Sequence, residues 1–170
     1  MPRLFLGILA VWFAQSSILV AAEVLTAPLV PRGAVWRFLD NGSNQGTTWT
    51  SPAFNDTNWA SGPARLGYGG DGEVTTVSFG PNASAKYITT YFRRAFEVAN
   101  SNAFRSLKLR LVRDDGAVVY LNGTEIFRSN MPAGTIGYAT NAISAAVIRD
   151  CRITTGHKLN PPRVKRRRKE

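Results

Sequence analysis

An all-β chain, folded as an antiparallel β-sandwich, is what this sequence predicts, and three observations carry the prediction. Apolar and polar residues alternate with a period of two over residues 88–98 and 107–113, the pattern of strands with one wet face. Asn122-Gly123 stands between two apolar runs, the strongest short hairpin signal, because both residues tolerate the positive φ of a type I′ turn. Residues 40–72 are dense in Gly, Asn, Ser and Pro and hold no helix of useful length. Gly there accepts positive φ, and Asn and Asp close turns on their own backbone.

Taken in order, residues 1–22 have the build of a secretory signal peptide: basic Arg3, an apolar run, then small residues before Glu23. Gln15, Ser16 and Ser17 interrupt the run and leave it short for a span. Export is therefore expected, to a secreted or extracytoplasmic location, with no membrane span after cleavage near Ala22. Residues 23–34 form a proline-punctuated extended lead-in to a first strand at 35–39. The sandwich domain is expected over 35–148 and a basic disordered tail over 149–170. In the strand at 88–98, Phe92, Phe96 and Val98 share the inward parity, and Tyr91, Arg93 and Glu97 the outward one. Arg94 falls on the inward parity, where snorkelling at a sheet edge is favoured over pairing with a carboxylate.

Leu107, Leu109 and Leu111 alternate with Ser106, Lys108 and Arg110 to give the next strand. The two-residue Asn122-Gly123 turn then fixes a register that sets Leu121 against Thr124, Tyr120 against Glu125, Val119 against Ile126 and Val118 against Phe127. Apolar cross-strand pairs of this kind stabilise by about 0.2–1 kcal/mol each. Asp114-Asp115-Gly116 is read as the turn between strands 107–113 and 117–121. Its Asp side chains accept backbone N–H bonds, and Gly116 takes the left-handed position. A last strand is expected at 142–148, before Pro161-Pro162 and a run of basic residues.

The formal charge of +10 is a property of the tail: residues after Asp150 carry +7 of it and Arg3 one more, which leaves about +2 on the body. The domain therefore carries no footprint for nucleic acid, and the tail is read as a solvated end rather than an evolved polyanion contact. Cys151 is the only cysteine, which excludes an internal disulfide and a thiolate-cluster metal site. His157 is also alone, so a Ser-His-Asp assembly has no base outside the tail. Asp114 and Asp115 are weak candidates for a structural calcium ion, which needs about six to eight oxygens, and no D-x-D-x-D ladder surrounds them. No cofactor is otherwise expected, and the chain is not read as an enzyme. Sequons stand at Asn41, Asn55, Asn82 and Asn122.

Three segments carry a resemblance: FNDTNWASGPARLGYG at 54–69, KYITTYFRRAFEV at 86–98 and LRLVRDDGAVVYLNGTEIFRSNMP at 109–132. Together with VPRGAVWRFLDNGS they cover roughly residues 30–138, and in this order the chain resembles the galactose-binding-domain-like jelly-roll modules of secreted bacterial enzymes, including the accessory domain of family 2 glycoside hydrolases. The resemblance is fairly specific for the fold and weak for any ligand. Because the apolar alternation stops soon after Tyr138, the chain looks like a truncated member lacking closing strands, from a shifted reading frame or as a fragment. The implied function is a non-catalytic accessory or binding module, with a glycan as partner. The alternative is a ligand-free spacer domain from a larger secreted hydrolase or metallophosphoesterase. Sugar recognition needs an aromatic platform with convergent polar groups, and the candidates are Trp49, Trp59, Tyr68 and Tyr87 with Asp71 and Asn82. Core packing competes for each aromatic: Trp36 and Trp59 are expected inside, and Asp56 in the turn before Trp59. Oligomeric state is not read from the sequence.

Overall fold

The structure, a computed structural model, describes residues 28–104, 106–145 and 149–155. It is all-β: nine strands and two short 3-10 turns lie among the described residues, with no α-helix. Nor does any helix there have the length and apolarity to cross a membrane. β1 (Val35–Leu39) is the centre of an antiparallel three-stranded sheet, flanked by β2 (Ala60–Pro63) and β5 (Tyr91–Arg93). β3 (Leu66–Gly67) pairs with β4 (Thr75–Thr76), β6 (Leu107–Arg113) with β9 (Arg149–Thr155), and β7 (Ala117–Leu121) with β8 (Thr124–Ser129).

The core is built from aromatic residues that local alternation does not single out. Trp59 and Tyr91 are only 7% and 4% exposed, beside buried Phe38, Val77 and Ala34. Ring centroids run from Phe54 to Trp59 at 5.6 Å, Trp59 to Tyr91 at 6.0 Å, Tyr91 to Trp49 at 5.0 Å and Trp49 to Tyr120 at 5.6 Å. Most of these contacts are edge-on, the arrangement that the ring quadrupole favours. The chain of rings links the three-stranded sheet to the β7–β8 hairpin through the 3-10 turn Thr48–Thr50. Tyr91 sits inside because its ring meets both tryptophans, while Phe92 is exposed. The parity expected for 88–98 is therefore inverted at its centre, and only Tyr91–Arg93 is strand.

In the hairpin, Asn122 and Gly123 both take positive φ, 51° and 83°, as a type I′ turn requires. Leu121 faces Thr124 and Tyr120 faces Glu125 as expected. Beyond them the register shifts: Val119 faces Phe127 and Val118 faces Arg128, which leaves Ile126 as an extra residue in a β-bulge. The expected pairs Val119–Ile126 and Val118–Phe127 are thus corrected by one residue.

β6 alternates as predicted, with Leu107, Leu109 and Leu111 half-buried and Lys108, Arg110 and Val112 exposed. Its ladder partner, however, is β9, with Leu109 opposite Ile153 and Leu111 opposite Cys151. The strand expected within 142–148 lies instead at 149–155, in what was read as tail. Residues 141–145 are irregular, with a bend at Ile143 and Ser144, and 146–148 lie outside the described residues. Cys151 and Ile153 keep the parity that matches the leucines across the ladder, a short signal that the surrounding charged residues obscured. The signal-like segment 1–22 and residues 156–170 also lie outside the described residues.

β3 and β4 pair in parallel, against the antiparallel expectation. Parallel neighbours usually need a crossover of about a dozen residues, and here residues 68–74 suffice because Gly69, Gly70 and Gly72 turn the chain with positive φ. Glu73 clips this loop by accepting from the Gly70 N–H at 3.2 Å. The small sheets meet where Gly62 of β2 lies against Thr75 of β4, whose hydroxyl donates to the Pro63 carbonyl at 2.8 Å.

Candidate functional site

The turn-rich segments organise themselves by local side-chain bonds. Asn41 accepts from the Ser43 N–H at 3.0 Å, Asn55 from Thr57 at 3.1 Å and Asn82 from Ser84 at 2.9 Å. These are Asx turns, and each spans the N-x-[ST] triplet of a sequon. The Asn82 Oδ1 is therefore engaged by its own backbone. The Asp56 carbonyl accepts from the Trp59 N–H at 3.0 Å, the turn expected there.

Two of the candidate aromatics are brought together and two are drawn elsewhere. Trp49 and Trp59 join the core chain of rings and present no free platform. Tyr68, 38% exposed, follows β3 and meets Phe79 edge-on at 5.2 Å. Lys86 lies with its ammonium 4.9 Å from the Tyr68 ring centre and 5.5 Å from that of Phe79. Half-buried Tyr87 joins them: its N–H donates to the Phe79 carbonyl at 2.9 Å, and its ring covers Gly42 and Gly80. At Gly42 a Cβ would collide with the Tyr87 ring at 2.5 Å, and at Gly80 it would crowd the same ring at 3.0 Å. Positive φ reinforces the need for glycine there, at 73° and 99°. Exposed Asp71 stands on the glycine loop after Tyr68. Phe79 and Lys86 were missed by sequence reasoning, and the lysine, five residues after Phe79-Gly80-Pro81, gave no motif that would have marked it.

Asp71 also bears on the acidic pair. The Asp114 carboxyl is held above the usual aspartate range by desolvation first, then by the charge of Asp115 and a hydrogen bond shared with it, with a further push from Asp71. The turn is fixed by the Asp115 carbonyl, which accepts from Arg113 Nη1 and from Asn130 Nδ2 at 3.1 Å. Gly116 does not take the left-handed conformation expected of it. It is glycine for space: a Cβ there would lie 2.5 Å from Met131 Sδ and 3.0 Å from the Asn130 carbonyl oxygen. β6 and β7 are neighbours in sequence but share no ladder, so this turn joins two sheets rather than two paired strands. Among the described residues no group of three His, Cys, Asp or Glu is placed to hold a metal ion.

Arg93 is the residue that sequence reasoning put on the wet face and the structure brings inward. Its Nε meets Asp56 Oδ2 at 2.8 Å, its two Nη atoms donate to the Trp49 and Ser51 carbonyls, and its guanidinium lies 5.1 Å from the Phe54 ring centre. Arg94 neither reaches a carboxylate nor simply snorkels, since its Nη1 donates to the Val35 carbonyl.

No family model, curated protein or solved structure matches the chain.

Proposed function

We propose that this chain is a non-catalytic binding module of an exported protein, built on a galactose-binding-like jelly-roll sandwich, and that the patch around Tyr68 takes a glycan. The observation that carries this reading is the grouping of Tyr68, Phe79 and Tyr87 with Lys86 on turn-rich loops. An exposed ring edged by charged donors and acceptors offers what a sugar needs: an apolar face for its C–H groups and polar partners for its hydroxyls. Asp71 supplies an acceptor and Lys86 a donor. The positive-φ glycines allow the backbone to come close to the rings.

The spacer reading draws support from a different observation, the commitment of Trp49 and Trp59 to packing. The two part in a glycan-array experiment with the full chain and its Tyr68→Ala variant. The binding-module reading expects glycan binding that Tyr68→Ala weakens by about tenfold, the loss of roughly one aromatic contact. No glycan bound, or binding indifferent to Tyr68, overturns it in favour of the spacer.

A further inference from the structure

A cleft of about 310 Å³ opens where β1, β2 and the end of β5 meet, lined by Trp36, Arg37, Asp56, Ser61, Arg93 and Arg94 among others. Its side chains bring three guanidinium groups against one carboxylate. Asp56 is already committed: Oδ2 lies 2.8 Å from Arg93 Nε and Oδ1 3.6 Å from Arg37 Nε. Arg93 is committed as well, through Asp56 and the carbonyls of Trp49 and Ser51. Arg37 spends Nη1 on the carbonyls of Thr57 at 3.2 Å and Trp59 at 3.1 Å.

Arg94 is different. Its one acceptor among the described residues is the Val35 carbonyl, bonded to Nη1, and its Nε is buried with no partner. Buried polar atoms are nearly always paired, so an orphaned donor calls for an acceptor that is not part of the chain. The side left without one is the Nε/Nη2 edge, the fork by which arginine grips two oxygens of a carboxylate, sulfate or phosphate.

We infer that this cleft binds a small oxyanion, with Arg94 as its principal ligand, Arg37 contributing charge and Ser61 in the lining. The local excess of positive charge attracts an anion, and the low-dielectric walls beside Trp36 strengthen that attraction. The volume is at the lower end for small-molecule sites, about 300–1,000 Å³, which suits a single acidic group or monosaccharide acid rather than a polymer chain. The site stands on elements other than those around Tyr68 and does not rest on the glycan reading.

The test titrates the full chain at constant ionic strength with sulfate, inorganic phosphate and glucuronate, following the arginine Nε–H resonances and the heat of binding. Saturable binding that shifts the Arg94 Nε–H is expected, and Arg94→Gln should weaken it at least about tenfold, the loss of a charge-assisted pair. Ser61→Val keeps every guanidinium and narrows the cleft, so it should weaken binding even if Arg94→Gln perturbs the fold. Binding of the inorganic anions alone identifies a phosphate- or sulfate-bearing ligand, and preference for glucuronate a carboxylate. Tyr68→Ala should leave all of this unchanged, which separates the site from the aromatic patch. Absence of saturable binding overturns the inference. So does indifference to both cleft variants, or an equal loss with Lys108→Gln, an exposed residue of β6, which would mark diffuse charge attraction.

Discussion

Asp114 answers at single-residue resolution what the adjacent acids do. Its carboxyl is pushed up by desolvation and by Asp115, with Asp71 adding to the push. A carboxyl with a raised folded-state pKa favours the fold while protonated. That contribution is present below the ordinary aspartate range and is lost as pH rises through the raised value. At neutral pH the ionised group is therefore a small liability, and Asp114→Asn should raise stability there. The gain is a few tenths of a kcal/mol, since the group is exposed and solvent screens it. Thermal melts at about pH 3 and about pH 7 check this: the advantage of the variant should shrink in acid and with added salt. Arg93 gives the complementary lesson. Its outward parity in sequence hid a side chain held by Asp56 and two carbonyls, because an ion pair between residues 37 positions apart leaves no local pattern.

At the scale of elements, turn chemistry was legible and pairing partners were not. The Asn122-Gly123 turn and the Asx turns at Asn41, Asn55 and Asn82 follow from residue type within three positions. The bulge at Ile126 breaks the register two pairs from the turn, where the turn's own geometry no longer dictates which residues face. Glu125, next to the bulge, forms a two-pronged pair with Arg128 at 2.8 and 2.7 Å, and Arg128 reaches on to the Pro132 and Gly134 carbonyls. That network favours keeping the two-to-one register and ties the following loop to it. The contact of β2 with β4 supplies the prediction at this scale. Gly62 has no room for a Cβ against Thr75, so Gly62→Ala should destabilise by about 1–3 kcal/mol through overpacking. Denaturant unfolding measures it, and Gly134→Ala, where a Cβ meets nothing but φ is positive, separates crowding from backbone strain. Crowding predicts partial rescue of Gly62→Ala by Thr75→Ser, whereas Gly134→Ala gains nothing from that change.

At the scale of the molecule, the four small sheets among the described residues are joined by side chains more than by continuous ladders. The ring chain Phe54–Trp59–Tyr91–Trp49–Tyr120 is the longest of these joints. Trp49 is its hinge between the three-stranded sheet and the hairpin, so Trp49→Ala should cost about 2–4 kcal/mol, somewhat less than deletion of a fully buried tryptophan. Hydrogen exchange should then show the β7–β8 amides losing protection ahead of those in β1 and β5. Equal loss across both sheets would show that the hairpin is anchored by other contacts.

The sequence by itself determined the all-β class, the turn positions and the alternation of β6, since each depends on side-chain chemistry and backbone preference within a few residues. Tertiary structure decided which strands pair, which aromatics enter the core, and that Tyr68, Phe79, Lys86 and Tyr87 share a patch while Arg37, Arg93 and Arg94 share a cleft. Those outcomes depend on burial and charge compensation between residues distant along the chain, and a period of two is the same whichever neighbour a strand finally meets.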